Sequence, residues 1–440
     1  MTETAVILAA GLGTRMRSAL PKAAHMLAGR PMLAHLLASA GEVFDRIVVV
    51  IGPGMESLAA MAAPHPVVVQ RERLGTAHAA LQAAGQFGDG GVAVLYADNP
   101  LITPATMRRL LAARRADGLA LLAMRPADPG RYGRIVLDGE GAVAAIVEYA
   151  DADATQRAIG LCNAGVMAAA AADMARWLGM VKNDNAKGEF YLTDLVALAR
   201  ADGRRVDAIE APEAELRGIN SRAELAVAEA EIQTRLRAAA MEAGVTMTDP
   251  ASVHLAADTV LGRDVVLGPN IVFGPGVTIA DGVEIRAFCH LEGCIIGPGC
   301  IIGPFARLRP GTVLGGNAHV GNFVELKAAI LGDGAKANHL TYLGDAEIGA
   351  AANIGAGTIT CNYDGINKHR TVIGARAFIG SDTALVAPVR VGEGAITAAG
   401  SVITEDVPAD ALAIARGRQS IKPGRAAVLR AALAKAKGKS

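Results

Sequence analysis

A repeat with a period of six residues runs through much of the second half of the chain. Apolar residues, most of them followed by glycine, recur at six-residue steps, pass one five-residue step and resume. A hexapeptide period with one apolar side chain per step is typical of a parallel β-helix, whose coils stack these side chains inside. The repeating positions are Leu261, Leu267, Phe273, Ile279, Ile296, Ile302, Leu308, Leu314 and Val320, then Leu343, Ile348, Ile354, Ile373, Ile379 and Val391.

The repeat is interrupted between Thr360 and Ile373, where ten mostly polar residues, Cys361–Arg370, break the phase. Insertions in a solenoid must leave the coil as loops, often on its binding face. We expect this loop to reach an adjacent subunit.

The first half of the chain alternates short apolar runs with segments of helical spacing. Residues 47–51, 67–69 and 92–96 are such runs, each bounded by glycine, proline or aspartate. This alternation predicts a Rossmann-like α/β domain with a mostly parallel sheet, which binds ligands at the carboxyl ends of its strands.

A long helix is predicted between the two halves. Ser221 and Glu224 have the spacing of a capping box, and Gly244 ends the helical pattern. We place a nucleotide-sugar domain at residues 1–222, a linker helix at 223–243 and the β-helix domain at 244–440. The residues predicted to share one apolar face of the helix are Leu225, Ala228, Ile232, Leu236 and Ala239.

Composition excludes several classes of partner. The 43 basic and 43 acidic side chains cancel, which gives no indication of a nucleic-acid or anionic-membrane partner. No apolar run has the length of a membrane-spanning helix. The five cysteines lack Cys-x-x-Cys spacing and indicate small buried thiols in a reducing compartment, with the cytoplasm as the default and a zinc site as the lesser alternative. The basic segment Arg425–Ser440 reads as a solvated, partly helical tail rather than a binding arm.

The segment Val6–Met16, followed by Leu20–Lys22, carries the strongest local motif. A buried strand ends in a glycine-rich turn, whose bare amides can surround phosphate oxygens, and Arg15 and Lys22 add positive charge. A P-loop needs Gly-x-x-x-x-Gly-Lys-Ser/Thr, which is absent, and the dinucleotide fingerprint needs a third glycine where Met16 stands.

Two further turns of the first half carry polar groups. Asp98 ends the strand at 92–96 and is the best candidate ligand for Mg²⁺, which prefers one or two protein oxygens and keeps water and phosphate as its other ligands. An aspartate that merely begins the next turn is the alternative. Gln70 and the turn Leu74–Ala77 follow the strand at 67–69, where an amide can read a pyrimidine edge and Gly75 permits close approach.

Several long segments resemble one enzyme family. They are Val6–Met16, Asn185–Asp194, Gly303–Gly311, His339–Asp345 and Asn353–Gly365. Together with the hexad repeat they are similar to the bacterial bifunctional enzymes that unite N-acetylglucosamine-1-phosphate uridylyltransferase and glucosamine-1-phosphate N-acetyltransferase. The resemblance covers nearly the whole chain. It implies a left-handed β-helix, a homotrimer, and a product, UDP-N-acetylglucosamine, that supplies peptidoglycan and lipopolysaccharide synthesis.

The resemblance implies residue roles in the uridylyltransferase half. Arg15 and Lys22 act in catalysis on the phosphates of UTP, and Asp98 and Asn220 hold Mg²⁺. Gln70, Gly75 and Thr76 read uracil. The full set implied to bind UTP or the nucleotide sugar is Leu8, Ala9, Ala10, Gly11, Lys22, Gln70, Gly75, Thr76, Tyr96, Ala97, Asp98, Gly133, Glu148, Asn163 and Asn220.

In the acetyltransferase half the resemblance implies that His339 is the general base. An imidazole with an unperturbed pKa of about 6.5 suits the removal of a proton from an attacking amine, although a lone histidine on a coil is usually structural. The implied partners of the sugar phosphate are Arg309, Lys327, Tyr342 and Asn353. Those of acetyl-coenzyme A, the co-substrate, are Ala356, Asn362, Tyr363, Ser381, Ala399 and Arg416.

Four positions depart from the family pattern and bear on rate and specificity: Ala97, Ala150, Ala164 and Asn338. Two rival interpretations exist. In one, the chain is a monofunctional sugar-1-phosphate nucleotidylyltransferase with a non-catalytic β-helix scaffold. In the other, it is a non-catalytic sensor of nucleotide sugars.

Overall fold

The computed structural model describes residues 1–114, 117–185 and 187–438. The predicted motif Asn185–Asp194 contains Ala186, and the predicted tail ends with Lys439 and Ser440; these three residues lie outside the described ranges. Unit 1 comprises Met1–Ala238 and Leu255–Ala257, and unit 2 comprises Ala239–His254 and the chain from Asp258 onward. The domain borders proposed from the sequence stay predictions.

Unit 1 is built on a mixed sheet of mainly parallel strands. Its elements are β1 (Thr4–Leu8), β2 (Met26–Leu27), β3 (Arg30–Pro31), α1 (Met32–Gly41), β4 (Arg46–Ile51), α2 (Glu56–Ala62), β5 (Val67–Val69), α3 (Thr76–Gln82), β6 (Gly91–Tyr96), α4 (Pro104–Ala113), β7 (Leu119–Met124), β8 (Arg134–Leu137), β9 (Val143–Val147), α5 (Ala154–Arg157), β10 (Cys162–Ala170), α6 (Ala171–Met180), α7 (Leu195–Ala201), β11 (Val206–Glu210), α8 (Glu213–Leu216) and α9 (Arg222–Glu242). The strand order is β11-β7-β10-β6-β1-β4-β5; β8 also pairs with β10, and β9 pairs with β8.

The predicted strands of the first half are confirmed, because β4, β5 and β6 coincide with the three apolar runs to within one residue. Both faces of the sheet are covered, as β1 shows. Ala5 and Ile7 point into one hydrophobic cluster, and Val6 and Leu8 point into the other. Two-sided burial explains why these strands are continuous apolar runs rather than alternating ones.

The start of α9 is capped nearly as predicted. The Ser221 hydroxyl accepts a hydrogen bond from the Glu224 amide at 3.2 Å. The Glu224 carboxylate, however, accepts from the amide of Asn220 at 2.6 Å rather than from that of Ser221. The cap therefore also fixes Asn220.

The buried face of α9 is shorter than predicted. Ala228 and Ile232 are buried, but Ala239 is exposed. Gln233, a polar residue outside the predicted stripe, is also buried, and its amide donates to the Leu255 carbonyl at 2.7 Å and accepts from the Leu255 amide at 2.9 Å. Because both polar atoms of the Gln233 side chain are hydrogen-bonded, its burial carries little free-energy cost.

Unit 2 is a three-sided stack of short parallel strands, consistent with a left-handed parallel β-helix. Its strands are β12 (Thr246–Met247), β13 (Val260–Leu261), β14 (Val266–Leu267), β15 (Val272–Phe273), β16 (Thr278–Ile279), β17 (Glu284–Ile285), β18 (His290–Leu291), β19 (Cys294–Ile296), β20 (Ile301–Ile302), β21 (Arg307–Leu308), β22 (Thr312–Leu314), β23 (His319–Lys327), β24 (Ile330–Leu331), β25 (Lys336–Gly344), β26 (Ala346–Ile348), β27 (Asn353–Ile354), β28 (Ile359–Cys361), β29 (Thr371–Ile373), β30 (Phe378–Ile379), β31 (Ala384–Val386), β32 (Val389–Val391), β33 (Ile396–Thr397), β34 (Val402–Ile403) and β35 (Leu412–Ala413). Helix α10 (Arg425–Lys437) follows and is exposed along its length.

The predicted repeat is confirmed. Every predicted apolar position is buried except Leu261, which is half-buried in the first coils. The inserted loop leaves the coil, closes on itself through a bridge between Tyr363 and Lys368, and exposes Ile366. Among the helices in the described part of the chain, none combines the length and apolar character needed to span a membrane.

Candidate active sites

A cavity of about 220 Å³ lies in unit 1 at the carboxyl ends of β1, β5 and β6. Parallel strands deliver their carboxyl ends to one edge of a sheet, so loops distant in sequence meet there. Its lining includes the predicted residues Leu8, Ala9, Ala10, Gly11, Lys22, Gln70, Gly75, Thr76, Tyr96, Ala97 and Asp98, together with Ala23, Arg73, Ala79 and Glu189.

The glycine-rich loop brings Lys22 to this cavity but not Arg15. Gly13 has φ +62°, and a Cβ there would lie 2.6 Å from the Lys22 Cβ, so only glycine lets the lysine pack beneath the loop. Arg15 is exposed and is not among the lining residues. Arg73, which sequence reasoning missed, donates from Nε to the Ala10 carbonyl at 2.8 Å and braces the loop from the side of β5.

Lys22, Asp98 and Asn220 meet at one point. The Lys22 ammonium contacts the Asp98 carboxylate and donates to Asn220 Oδ1 at 2.9 Å. The Ile219 amide donates to the Asp98 carbonyl at 2.8 Å, which ties the two segments together. Two side-chain oxygens thus converge on a cation, and this arrangement fits Mg²⁺, which keeps most of its ligands for water and phosphate.

The turn after β5 is assembled around Gly75. Gly75 has φ +118°, and a Cβ there would lie 2.4 Å from the Phe190 carbonyl oxygen. The Gln70 amide donates to the Gly75 carbonyl at 3.1 Å, and the Thr76 hydroxyl accepts from the Leu192 amide at 3.0 Å. The predicted uracil-reading residues therefore lie together and are held by the segment 190–192.

The predicted sugar-binding residues form a second group beside the cavity. The backbone N–H of Asn163 donates to the Gly133 carbonyl at 2.8 Å, and a Cβ on Gly133 would lie 3.5 Å from the Glu148 carboxylate. Burial raises the pKa of Glu148 above its usual value. None of the three lines the cavity described above. Their carboxylate and amide groups can accept and donate hydrogen bonds to a neutral sugar.

In unit 2 the coil register collects predicted residues into one column. Val320, Ala337, Ile354, Ile379 and Thr397 are successive neighbours across the coils. Two residues after each of them, on the outside of the corner, stand Asn322, His339, Ala356, Ser381 and Ala399. The predicted base and three of the predicted acetyl-coenzyme A contacts therefore share one edge of the prism. Asn322 was not predicted.

His339 is exposed at this edge. Its Nδ1 lies 2.9 Å from Oδ1 of Asn322 on the preceding coil. Two other predicted residues are hydrogen-bonded to each other: the Arg416 guanidinium donates to the Ala399 carbonyl at 2.8 Å. The column thus combines an accessible imidazole with backbone and hydroxyl groups.

The predicted phosphate-binding cations of unit 2 each have a carboxylate partner. Arg309 donates to Glu325 at 2.9 Å, and Lys327 donates to both oxygens of Asp345 at 2.9 and 3.0 Å. The hydrogen bond to Asp345 raises the pKa of Lys327. Neither carboxylate was predicted as a site residue, although Asp345 ends the motif that begins at His339.

Asp345 also holds Asn362, one of the residues predicted to bind acetyl-coenzyme A. Its carboxylate accepts from the Asn362 amide at 2.5 Å. Although partial burial would raise the pKa of Asp345, the hydrogen bonds from Lys327 and Asn362 hold it below its usual value. Gly344 provides room, because a Cβ there would lie 2.3 Å from the Tyr342 hydroxyl and 2.8 Å from the Asn362 amide.

The remaining predicted residues of unit 2 lie near these groups in the register. Asn353 stands beside Lys336 of β25, and Tyr363 is exposed on the inserted loop, where its hydroxyl donates to the Gly365 carbonyl at 2.5 Å.

Comparison with known proteins bears on both units. The MobA-like NTP transferase domain model matches residues 5–172, and the GMPPB C-terminal domain model matches residues 244–331. The bifunctional protein GlmU of Gluconacetobacter diazotrophicus is 67% identical over 440 residues, covering 99% of this chain and 95% of that protein. That of Acidiphilium cryptum is 67% identical, and the match covers 98% of this chain and 99% of that protein. That of Paramagnetospirillum magneticum is 56% identical, and the match covers 99% of this chain and 98% of that protein.

Identity at this level extends through both units, so a monofunctional nucleotidylyltransferase with an inert scaffold is not favoured. The nucleotidyltransferase domain predicted for the first half is confirmed by the matching family model. The chain belongs to the family of the bifunctional protein GlmU.

Proposed function

We propose that the chain makes UDP-N-acetylglucosamine in two steps. Unit 2 acetylates glucosamine-1-phosphate with acetyl-coenzyme A, and unit 1 joins the product to UMP from UTP with release of pyrophosphate. The observation that carries the proposal is the presence of two separate polar constellations, one in each unit. The first unites Lys22, Asp98 and Asn220, and the second centres on His339.

In unit 1 the reaction is an in-line attack of the sugar phosphate oxygen on the α-phosphorus of UTP, and the bond from that phosphorus to the β-phosphate oxygen breaks. Positioning and charge neutralisation supply most of the rate of such transfers. The Ala9 amide donates to the Val50 carbonyl at 2.7 Å, so the amides of Ala10 and Gly11, together with the Lys22 ammonium, would contact the phosphates. Gln70 Nε2 is engaged with the Gly75 carbonyl, which leaves Oε1 to accept from the uracil imide. Asp98 and Asn220 would hold Mg²⁺, which neutralises polyphosphate charge when bound.

In unit 2 the amine of glucosamine-1-phosphate attacks the thioester carbonyl carbon. His339 takes a proton from the nitrogen, the carbon–sulfur bond breaks, and the imidazolium returns the proton to the sulfur, so that coenzyme A leaves as the thiol. General-base catalysis of this kind contributes about 10²–10⁴-fold. Arg309 and Lys327 would bind the phosphate, and the Ser381 hydroxyl, in the same column as His339, can donate to the developing oxyanion.

We further propose a homotrimer. Three phenylalanines on successive coils, Phe288, Phe305 and Phe323, are stacked with ring centroids 4.9 and 5.1 Å apart. They and Leu340 are each 45% exposed or more. An apolar ladder of this kind on a monomer marks a protein interface, and it lies one residue beyond the column of His339. Light scattering at micromolar concentration should give three times the chain mass; a monomer mass would contradict the proposal.

We also propose a cytoplasmic location. The five cysteines are free thiols, four of them buried as predicted, whereas Cys361 on the inserted loop is exposed, contrary to the prediction. Burial raises the pKa of Cys289 to about 11 and that of Cys294 to about 12. Buried, unpaired thiols of this kind suit a reducing compartment.

The direct test of function is reconstitution. Purified protein with Mg²⁺, UTP, acetyl-coenzyme A and glucosamine-1-phosphate should form UDP-N-acetylglucosamine, with one thiol and one pyrophosphate released per product. Omitting acetyl-coenzyme A should stop synthesis from glucosamine-1-phosphate but not from N-acetylglucosamine-1-phosphate. Absence of product in the complete mixture would refute the proposal.

A further inference from the structure

We propose that Asn322 is a positioning residue for acetyl transfer. Its side-chain oxygen accepts the Nδ1–H of His339 and so leaves the Nε2 lone pair of the imidazole directed toward the substrate amine. This inference rests on the proposed acetyltransferase function of unit 2, and the experiment below separates the two.

The contact is direct and specific. Asn322 Oδ1 lies 2.9 Å from His339 Nδ1, and the two residues are 17 positions apart in the sequence. They are opposite each other in the parallel pairing of β23 with β25. One coil of the β-helix therefore places the amide beside the ring.

The backbone around this pair is built for close approach. A Cβ on Gly321 would lie 2.0 Å from the Asn338 carbonyl oxygen, so no side chain fits at that position. Strands β23 and β25 are nine residues each and pair at seven positions. In the described part of unit 2, the other strands are two or three residues long. At this corner two coils stay hydrogen-bonded around the bend, which holds Asn322 and His339 in a defined register.

The orientation of the amide decides the chemistry. A neutral imidazole carries one N–H. When the amide oxygen faces Nδ1, the proton resides on Nδ1 and Nε2 is a free acceptor. When the amide nitrogen faces Nδ1, the proton moves to Nε2 and the outward nitrogen is no longer a base. An oxygen in this place selects the tautomer that a general base needs.

Asparagine also differs from a carboxylate in this role, because it orients the ring without a full negative charge that would stabilise the imidazolium. Other titratable groups stand on β25 and on the strands paired with it, and they set the background of any pH profile. They are His319, Glu325 and Lys327 on β23, Lys336 and Tyr342 on β25, and Cys361 on β28.

The test compares Asn322→Leu with Asn322→Asp in the full-length protein. The leucine variant is nearly isosteric and accepts no hydrogen bond. We expect its kcat for thiol release to fall about 10–100-fold, as for other orienting partners of histidine, with little change in the KM for glucosamine-1-phosphate. The aspartate variant should keep most of the rate at high pH and shift the acid limb of kcat upward, since a carboxylate raises the pKa of the neighbouring imidazole. Nitrogen-15 spectra should show His339 with its proton on Nδ1 in the wild type and a mixture of tautomers in the leucine variant.

Pyrophosphate release by unit 1 serves as the internal control, and it should be unchanged in both variants. If the wild type releases no thiol, the acetyltransferase proposal itself fails. If the wild type is active but Asn322→Leu keeps its kcat and the Nδ1-protonated ring, the positioning role is wrong.

Discussion

The two candidate sites are assembled in opposite ways. In unit 1 the cavity collects groups from residues 8–11, 22, 70–76 and 96–98, and Asn220 joins them from the start of α9. In unit 2 the column around His339 collects one residue from each successive coil, at the spacing of the coil itself. The first site depends on where loops end, and the second depends on register.

This difference predicts different responses to mutation. Loops that meet above a sheet brace one another, as Arg73 does for the glycine-rich loop and the segment 190–192 does for Gly75 and Thr76. One backbone change there should disturb several ligand contacts together. In a solenoid each coil contacts its neighbours alone, so a side-chain change should act locally.

The largest effect is expected from His339→Ala. Thiol release should fall about 10²–10⁴-fold, because the proposed general base is removed, while pyrophosphate release from N-acetylglucosamine-1-phosphate and UTP should be unchanged. Parallel thiol and pyrophosphate assays measure both. Unaltered thiol release would favour an inert scaffold in place of the second site.

The converse loss is expected from Asp98→Asn. Pyrophosphate release should fall about 10²–10³-fold, because a proposed ligand of Mg²⁺, an ion that supplies several kcal/mol of charge stabilisation, loses its negative charge. Thiol release should be retained, and a higher Mg²⁺ concentration should recover part of the loss. If both activities fall together, the two sites are not independent.

A smaller effect, on binding, is expected from Gly75→Ala. The added methyl would lie 2.4 Å from the Phe190 carbonyl, so the turn and its Gln70 and Thr76 must shift, and the KM for UTP should rise about tenfold, which corresponds to roughly 1.4 kcal/mol. Gly54→Ala is the matched control, because Gly54 also has positive φ but no atom within 4 Å of the new methyl. Equal KM changes in the two variants would point to backbone strain alone.

The smallest effect is expected from Glu148→Gln, measured by thermal unfolding across pH. Burial raises the folded-state pKa of Glu148 above its ordinary value of 4.5, so the ionised carboxylate destabilises the free protein once pH exceeds that value. The glutamine variant should melt slightly higher at pH 7, and the difference should vanish near pH 4. Glu140→Gln, at an exposed turn, should show no such pH-dependent gain.

Much of the architecture was predictable because it is periodic. The strands β4, β5 and β6 and nearly all of the buried hexad positions follow directly from runs and spacings of apolar residues. Much of the lining of the cavity was predictable because residues 8–11, 70 and 96–98 lie at or just after strand ends. Arg15 is exposed and outside the lining of the cavity, and its role at the phosphates stays a prediction, since the direction of a side chain on a loop depends on packing rather than on spacing.

The residues that the sequence did not reveal are those whose side chains fix the position of other residues through hydrogen bonds or ion pairs. Arg73 and Glu325 act through one hydrogen bond or ion pair each, and Gln233 and Asp345 act through a few side-chain hydrogen bonds to distant residues. A single polar residue has no period, so nothing in its neighbourhood reveals its partner.

The sequence by itself determined the hexad coil, the parallel sheet and the chemical kinds of group at each strand end, because apolar periodicity and glycine placement act over a few residues. Only the tertiary structure decided that Lys22 meets Asp98 and Asn220, and that the His339 ring faces the Asn322 oxygen. Those contacts depend on long-range pairing register and on donor–acceptor distances of about 3 Å, the range in which protein hydrogen bonds form.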